Sequence, residues 1–129
     1  QVLWPVHCVE GSHGAEFHKD VRAGLFHAVV RKGTDPRVDC YSAFQDNAGR
    51  QGTGLAGILE RAGATGLHLC GLATDYCVRF TALDARRLGY PVSVVINACR
   101  GVDLRPGDVE RAIREMKHAG VQIVTADQV

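Results

Sequence analysis

Cys77 is the residue whose type and position best suit chemistry. It follows an apolar run at residues 67–71 and opens a predicted helix, so its thiol faces unpaired backbone N–H groups and the positive end of the helix dipole. Both features favour the thiolate, which is the nucleophilic form of cysteine. A buried, inert cysteine is the other interpretation, and position alone does not separate the two.

Lys32 is the second candidate. It ends the apolar run at residues 28–30, which predicts a short buried strand, and the ends of parallel strands face the ligand crevice of such sheets. Most lysines simply extend into solvent. A functional role for Lys32 therefore requires Cys77 as its neighbour.

Two further patterns are weaker. Residues 52–57 read G-T-G-L-A-G, but the dinucleotide fingerprint requires a preceding strand and here a polar loop precedes it, which predicts only a loop and a helix start. His7, Cys8, His13 and His18 fall within twelve residues, and their spacing matches no structural zinc pattern. One of these residues could still contribute to a metal site that is completed elsewhere.

The elements that must position these residues alternate along the chain. Apolar residues at helical spacing predict a helix over residues 55–62, one from Cys77 to Gly89 and one from Pro106 to Gly120. Short apolar runs predict strands at residues 28–30, 67–71, 92–96 and 121–124, and residues 34–53 are predicted to be mostly loop. The alternation indicates one α/β domain over residues 1–129, with a parallel sheet and helices on both faces.

The bulk properties exclude several classes of partner. The 129 residues carry a net charge of +1 with scattered basic residues, which argues against binding of nucleic acid or an anionic membrane surface. No apolar run approaches the ~20 residues that span a bilayer. The five cysteines form no C-x-x-C pair, which favours a reduced, cytoplasmic protein.

Several sequence blocks occur in an informative order: W-P-V-H-C-V at residues 4–9, G-A-E-F at 14–17, K-G at 32–33, Y-S-A-F at 41–44, G-L-A-T-D-Y-C-V at 71–78 and T-A-L-D-A at 81–85. Together they resemble the nicotinamidase/pyrazinamidase branch of the isochorismatase-like cysteine hydrolases, over nearly the whole chain. The resemblance implies a three-layer αβα fold with a parallel sheet.

The resemblance also implies the catalytic roles. Cys77 would be the nucleophile and Lys32 the catalytic lysine, while the backbone N–H groups of Ala73 and Cys77 would form an oxyanion hole. The family usually has a cis peptide where Leu72-Ala73 stands.

Substrate and metal contacts follow from the same resemblance. Trp4 would flank an aromatic substrate ring with Tyr41 nearby, and His7 would be one ligand of a divalent metal ion, commonly zinc, iron or manganese. The implied reaction converts nicotinamide, or a pyrazinamide-like amide, to the acid and ammonia through a cysteine thioester, in NAD salvage. The expected partner is a small amide substrate, and a homo-oligomer remains open. A sibling hydrolase acting on another small amide or on isochorismate, and a non-catalytic fragment, are the alternatives.

The chain also departs from the family pattern. Members begin with two further strands, a catalytic aspartate and an Asp-x-His…His metal cluster, none of which is present in the sequence. Three strand spacings of ~4.8 Å would leave a gap of about 14 Å between the predicted strands at residues 28–30 and 67–71. We therefore expect an N-terminally truncated copy, corresponding to the C-terminal portion of the domain, with little activity on its own.

Overall fold

A computed structural model describes residues 4–129 and contains a parallel three-stranded sheet. The strands are β1 (Leu67–Leu72), β2 (Val92–Arg100) and β3 (Gln122–Val124), in the order β1-β2-β3. The helices are α1 (Leu55–Arg61), α2 (Arg79–Arg87) and α3 (Asp108–His118). Short 3₁₀ turns occupy His13–Ala15, Ala23–Leu25 and Ala126–Gln128. The predicted α/β class and the three strands after residue 66 are confirmed.

The sheet is centred on β2, which pairs with β1 on one side and β3 on the other. Val92, Val94 and Val95 are buried, and Leu67 and Leu69 of β1 lie opposite Val92 and Val94. A bulge separates Leu69 from Gly71. β1 then ends directly before the turn that carries Cys77, so this pairing fixes where that turn begins.

Helices α2 and α3 contact each other and the sheet. They bury small or flexible side chains, namely Ala82, Ala85, Ala112 and Met116, and small side chains let helices approach their neighbours closely. On β1, His68, Cys70 and Leu72 alternate with half-buried residues and are exposed, Leu72 by 73%. Within residues 4–129 this face of β1 therefore lacks the helical cover that the three-layer prediction assigns to it.

The strand predicted at residues 28–30 is wrong. The segment is irregular, and Val29 is 52% exposed. An apolar run becomes a strand only where a neighbouring strand satisfies its backbone and covers its side chains, and no strand in the described part of the chain pairs with this run. The loop predicted for residues 34–53 is confirmed, with a single bridge between Gln45 and Gly52.

The helix predicted to begin at Cys77 also differs in detail. Thr74–Val78 forms a π-helical turn and the regular helix α2 follows it. The carbonyl of Ala73 accepts hydrogen bonds from the N–H groups of Tyr76 at 3.1 Å and Val78 at 3.0 Å. Single π turns often occur at functional sites, and this one contains the candidate nucleophile.

A search of residues 4–129 finds no helix with the length and apolar character needed to cross a membrane.

Candidate active site

The structure places Lys32 beside Cys77. The Nζ atom of Lys32 lies 3.3 Å from Sγ of Cys77 and 2.5 Å from the carbonyl oxygen of Cys40. Cys77 is half-buried, so its sulfur is not sealed within the core. A functional role for Lys32 was predicted to require Cys77 as its neighbour, and the two residues are neighbours in the structure. The strand predicted before Lys32 is absent.

Backbone geometry shapes the turn around the sulfur. The Leu72–Ala73 peptide is cis, as the resemblance implies. Ala73 itself has extended φ and ψ angles and caps the π turn. Ala73 and Cys77 thus lie at opposite ends of a single short turn.

A buried carboxylate joins this turn to the loop after β2. Asp75, only 3% exposed, accepts hydrogen bonds from the backbone N–H groups of Val102 at 2.9 Å and Asp103 at 2.8 Å. Gly101 packs closely here, because a Cβ atom at that position would lie 2.2 Å from Cγ2 of Val109. The segments that follow β1 and β2 are therefore held together at the carboxyl ends of these two strands, where Cys77 also lies.

An aromatic cluster surrounds Tyr76, a residue of the π turn. Trp4 Nε1 donates a hydrogen bond to the hydroxyl of Tyr41 at 3.1 Å, and both rings pack edge-on against Tyr76 at centroid distances of 4.9 and 5.3 Å. Phe80 extends the cluster, with its centroid 5.4 Å from that of Tyr41. The two predicted substrate-flanking residues are thus brought together next to the residue that precedes Cys77.

The hydroxyl of Tyr41 is the polar centre of this cluster. It donates to a carboxylate oxygen of Asp39 at 3.3 Å, which leaves a lone pair for the indole N–H of Trp4. Burial raises the pKa of Tyr41 above its ordinary value, the hydrogen bond from Trp4 opposes that rise, and the charge of Asp39 adds to it. Tyr41 therefore stays protonated and keeps its bond to Asp39 at neutral pH.

Lys32 and Tyr41 depend on one irregular segment, residues 40–53. Asp46 organises its middle by accepting backbone N–H groups from Ala48, Arg50 and Gln51 at 2.9–3.0 Å. These bonds, with that from Arg50 the largest cause, lower the pKa of the Asp46 carboxyl. Hydrogen bonds within the segment therefore define the course of this loop.

The predicted metal ligand is not part of a cluster here. His7 is exposed and its Nδ1 atom lies 2.6 Å from the carbonyl oxygen of Pro5. His13 pairs instead with Glu16 at 2.9 Å and His18 with Asp20 at 3.5 Å. Residues 4–129 contain no group of three or more histidine, cysteine or carboxylate side chains that could hold a metal ion. The residues described do not by themselves fit a complete metal centre.

Sequence reasoning did not find three groups that shape the site: the carbonyl of Cys40, the carboxylate of Asp75 and the hydroxyl of Thr81, which accepts from Ala43 N–H. Asp75 and Thr81 both fall inside the sequence blocks of the resemblance, which was the available signal. A carbonyl oxygen leaves no signal in sequence, because every residue has one.

Comparison with known proteins assigns the family. The sequence model of the isochorismatase domain matches residues 1–128. The chain belongs to the isochorismatase family.

Three proteins illustrate what this chain is similar to within the isochorismatase family. The nicotinamidase of Escherichia coli (strain K12) is 47% identical over 125 residues, which are 97% of this chain and 59% of that protein. PnC1 from L. infantum, solved in complex with nicotinate, superposes with a TM-score of 0.91 at 39% identity and covers 97% of this chain and 62% of its own. The pyrazinamidase of Pyrococcus horikoshii, solved in complex with zinc, gives a TM-score of 0.80 at 41% identity, over 95% of this chain and 63% of its own. The chain thus spans about three fifths of the length of these isochorismatase-family relatives.

Proposed function

We propose that this protein is a nicotinamidase, a cysteine amidohydrolase that converts nicotinamide and pyrazinamide-like amides to the acid and ammonia in NAD salvage. The observation that carries the proposal is the 3.3 Å contact between Lys32 Nζ and Cys77 Sγ. The names of the relatives support the substrate class, since the E. coli relative is a nicotinamidase and the L. infantum relative holds nicotinate.

In the proposed reaction, the thiolate of Cys77 attacks the carboxamide carbon and the C–N bond breaks. A general base, for which the resemblance implies an aspartate, takes the proton of the Cys77 thiol and passes it to the nitrogen. The nitrogen then leaves as ammonia, and a thioester remains on Sγ. Water then attacks the thioester carbon, which releases the carboxylic acid and restores the thiol. Lys32 and the backbone N–H groups of Ala73 and Cys77 stabilise the negative charge that develops on the carbonyl oxygen, and one such donor contributes ~3–4 kcal/mol to lowering the barrier.

The aromatic cluster supplies the proposed binding surface for the substrate ring. Trp4 and Tyr41 present flat, largely apolar faces next to Tyr76, and aromatic rings pack favourably edge-on or offset. The hydrogen bond from Trp4 to Tyr41 fixes the indole before a ligand arrives. A heteroaromatic amide could then lie against these rings with its carboxamide directed at Cys77.

Other features of the proposal rest on the resemblance. His7 is proposed as one ligand of a divalent metal ion, and zinc is present in the P. horikoshii relative. No step of the reaction is assigned to that ion, because residues 4–129 hold no cluster that could complete its site. A cytoplasmic location agrees with five cysteines that are all free thiols, and a homo-oligomer is left to measurement.

A chimera tests the activity directly. This chain is joined to the part of the E. coli nicotinamidase that it does not match, and ammonia release is measured with nicotinamide, pyrazinamide and isochorismate. We expect turnover of the first two, and its loss in the Cys77→Ala and Lys32→Met chimeras. For the 129-residue chain alone we expect little or no turnover, since within residues 4–129 Lys32 is the only side chain that hydrogen-bonds Cys77 Sγ and no carboxylate serves as its base.

The outcomes separate the alternatives. Hydrolysis of isochorismate in preference to both amides would assign the sibling activity instead. A folded chimera that releases no ammonia, or one that keeps its activity after Cys77→Ala, would refute the proposal. Circular dichroism and the thermal midpoint of each chimera establish that it is folded.

A further inference from the structure

The loop that carries Tyr41 is tied to the helix that follows Cys77. The backbone N–H of Ala43 donates a hydrogen bond to Oγ1 of Thr81 at 2.9 Å, and Thr81 is only 8% exposed. A weaker bond joins Gln45 Nε2 to Asp84 Oδ2 at 3.3 Å, one helical turn further on. The buried ring of Phe44 packs into the core between these two bonds.

The same loop seats the ammonium group of Lys32. Its Nζ atom contacts the carbonyl oxygen of Cys40 as well as Sγ of Cys77. Cys40 is three residues before Ala43, so the position of its carbonyl depends on where the Ala43–Thr81 bond holds the loop. Thr81 lies in α2, which continues without a break from the π turn that contains Cys77. The helix that follows the sulfur therefore also anchors the loop whose Cys40 carbonyl binds the ammonium group.

We propose that Thr81 is a positioning residue that sets the contact between Lys32 and Cys77 through Ala43 and the Cys40 carbonyl. Thr81 hydrogen-bonds neither the sulfur nor the ammonium, and its hydroxyl bonds the loop instead. The inference rests on the proposed function in treating the Lys32–Cys77 pair as the chemical centre. Its physical basis is that removal of the hydroxyl leaves the N–H of Ala43 without its acceptor, and the loop must move to regain one.

Two variants of Thr81 separate its hydroxyl from its shape. Thr81→Val keeps the branched volume and removes the acceptor, whereas Thr81→Ser keeps the acceptor. The readout is the rate at which iodoacetamide alkylates Cys77 in the full 129-residue chain at fixed pH, resolved by peptide mass spectrometry. We expect Thr81→Val to lower the alkylation rate of Cys77 on the order of tenfold, because displacements of about 1 Å have large effects on reacting groups. Thr81→Ser should keep the rate of the parent protein.

A double-mutant cycle shows whether the effect acts through Lys32. In a Lys32→Met background, Thr81→Val should change the rate by less than about twofold, because the ammonium it positions is already absent. An equal effect with and without Lys32, or a parent-like rate in folded Thr81→Val, would overturn the inference. If Thr81→Val does not fold, Gln45→Ala removes the other bond between this loop and α2, the one to Asp84. The alkylation rate of Cys77 must then fall in the parent background and stay unchanged in the Lys32→Met background.

This test is independent of turnover. If the chimera releases no ammonia while the cycle behaves as described, the proposed function fails and the positioning role of Thr81 stands. If the chimera is active and the cycle shows no coupling, the positioning role fails and the proposed function stands.

Discussion

Lys32 Nζ and Cys77 Sγ are 3.3 Å apart although 45 residues separate them in the chain. Lys32 lies in an irregular segment and Cys77 in a π turn, so no shared element holds them together. The carbonyl of Cys40 binds the same ammonium group. The ammonium group of Lys32 therefore bridges the loop carbonyl and the sulfur.

Replacing Lys32 by Met should slow alkylation of Cys77. A positive charge beside a sulfur stabilises the reactive thiolate, and methionine keeps much of the length without the charge. Peptide mass spectrometry after timed iodoacetamide treatment measures the effect. Lys32→Arg is the matched control and should retain more of the rate, while an unchanged rate in Lys32→Met would contradict the role assigned to the ammonium.

Cys99 should be the least reactive cysteine in the same experiment. It is buried, and that burial raises the pKa of its thiol, so little thiolate is present at neutral pH. Cys70, which is exposed on β1, provides the internal comparison. Rapid labelling of Cys99 would indicate that the sheet is not packed as described.

Tyr41→Phe should loosen Trp4. The change removes the hydroxyl that accepts the indole N–H at 3.1 Å and leaves the ring contacts in place. Because Trp4 is the only tryptophan, acrylamide quenching of its fluorescence reports this residue alone. We expect stronger quenching in Tyr41→Phe than in the parent, whereas Tyr90→Phe, outside the aromatic cluster, should leave quenching unchanged. Equal quenching in all three proteins would show that the hydrogen bond does not hold the indole.

Asp75→Ala should destabilise the chain by about 3 kcal/mol, because two buried backbone N–H groups lose a charged acceptor. Both bonds are short, at 2.9 and 2.8 Å. Urea unfolding followed by circular dichroism gives the free energy of unfolding. The control is Glu110→Gln on the exposed surface of α3, which should change it by less than about 0.5 kcal/mol. A similarly small effect of Asp75→Ala would mean that the two loops are joined by other contacts.

The loop around Asp46 should respond to acid. The pKa of Asp46 is lowered in the folded state, chiefly by the backbone N–H of Arg50. Its contribution to stability is therefore complete above the ordinary aspartate pKa and is lost as pH falls through the lower folded value. The amide chemical shifts of Ala48 and Gln51 should report that transition, and Asp46→Asn should abolish it. A midpoint at or above the ordinary aspartate pKa would contradict the bonding described.

The sequence was sufficient for the elements whose signals are local. The apolar stretch around Val94 and the helical spacing that includes Met116 predict β2 and α3, and both form. The run at residues 28–30 failed because a strand depends on a partner that periodicity does not reveal. The pairing of Lys32 with Cys77 was predicted from the family resemblance and not from residue spacing. Nothing in the sequence between them indicates how far apart they lie in the fold.

The remaining contacts were beyond prediction for physical reasons. A π turn differs from an α turn by one residue, and its amide bonds to Ala73 depend on tertiary packing rather than on propensity. The bond between Ala43 and Thr81 joins a backbone group to a side chain 38 residues away. Only the folded chain shows which of its many carbonyls and hydroxyls such a group meets.

The bond between Ala43 and Thr81 has a mechanical consequence. Because the loop is anchored to the helix that continues from the turn bearing the sulfur, a shift of that helix across the sheet moves the Cys40 carbonyl and the sulfur together. A loss of volume in the core that packs against this helix, such as Met116→Ala, would then displace this carbonyl and the sulfur together relative to the sheet.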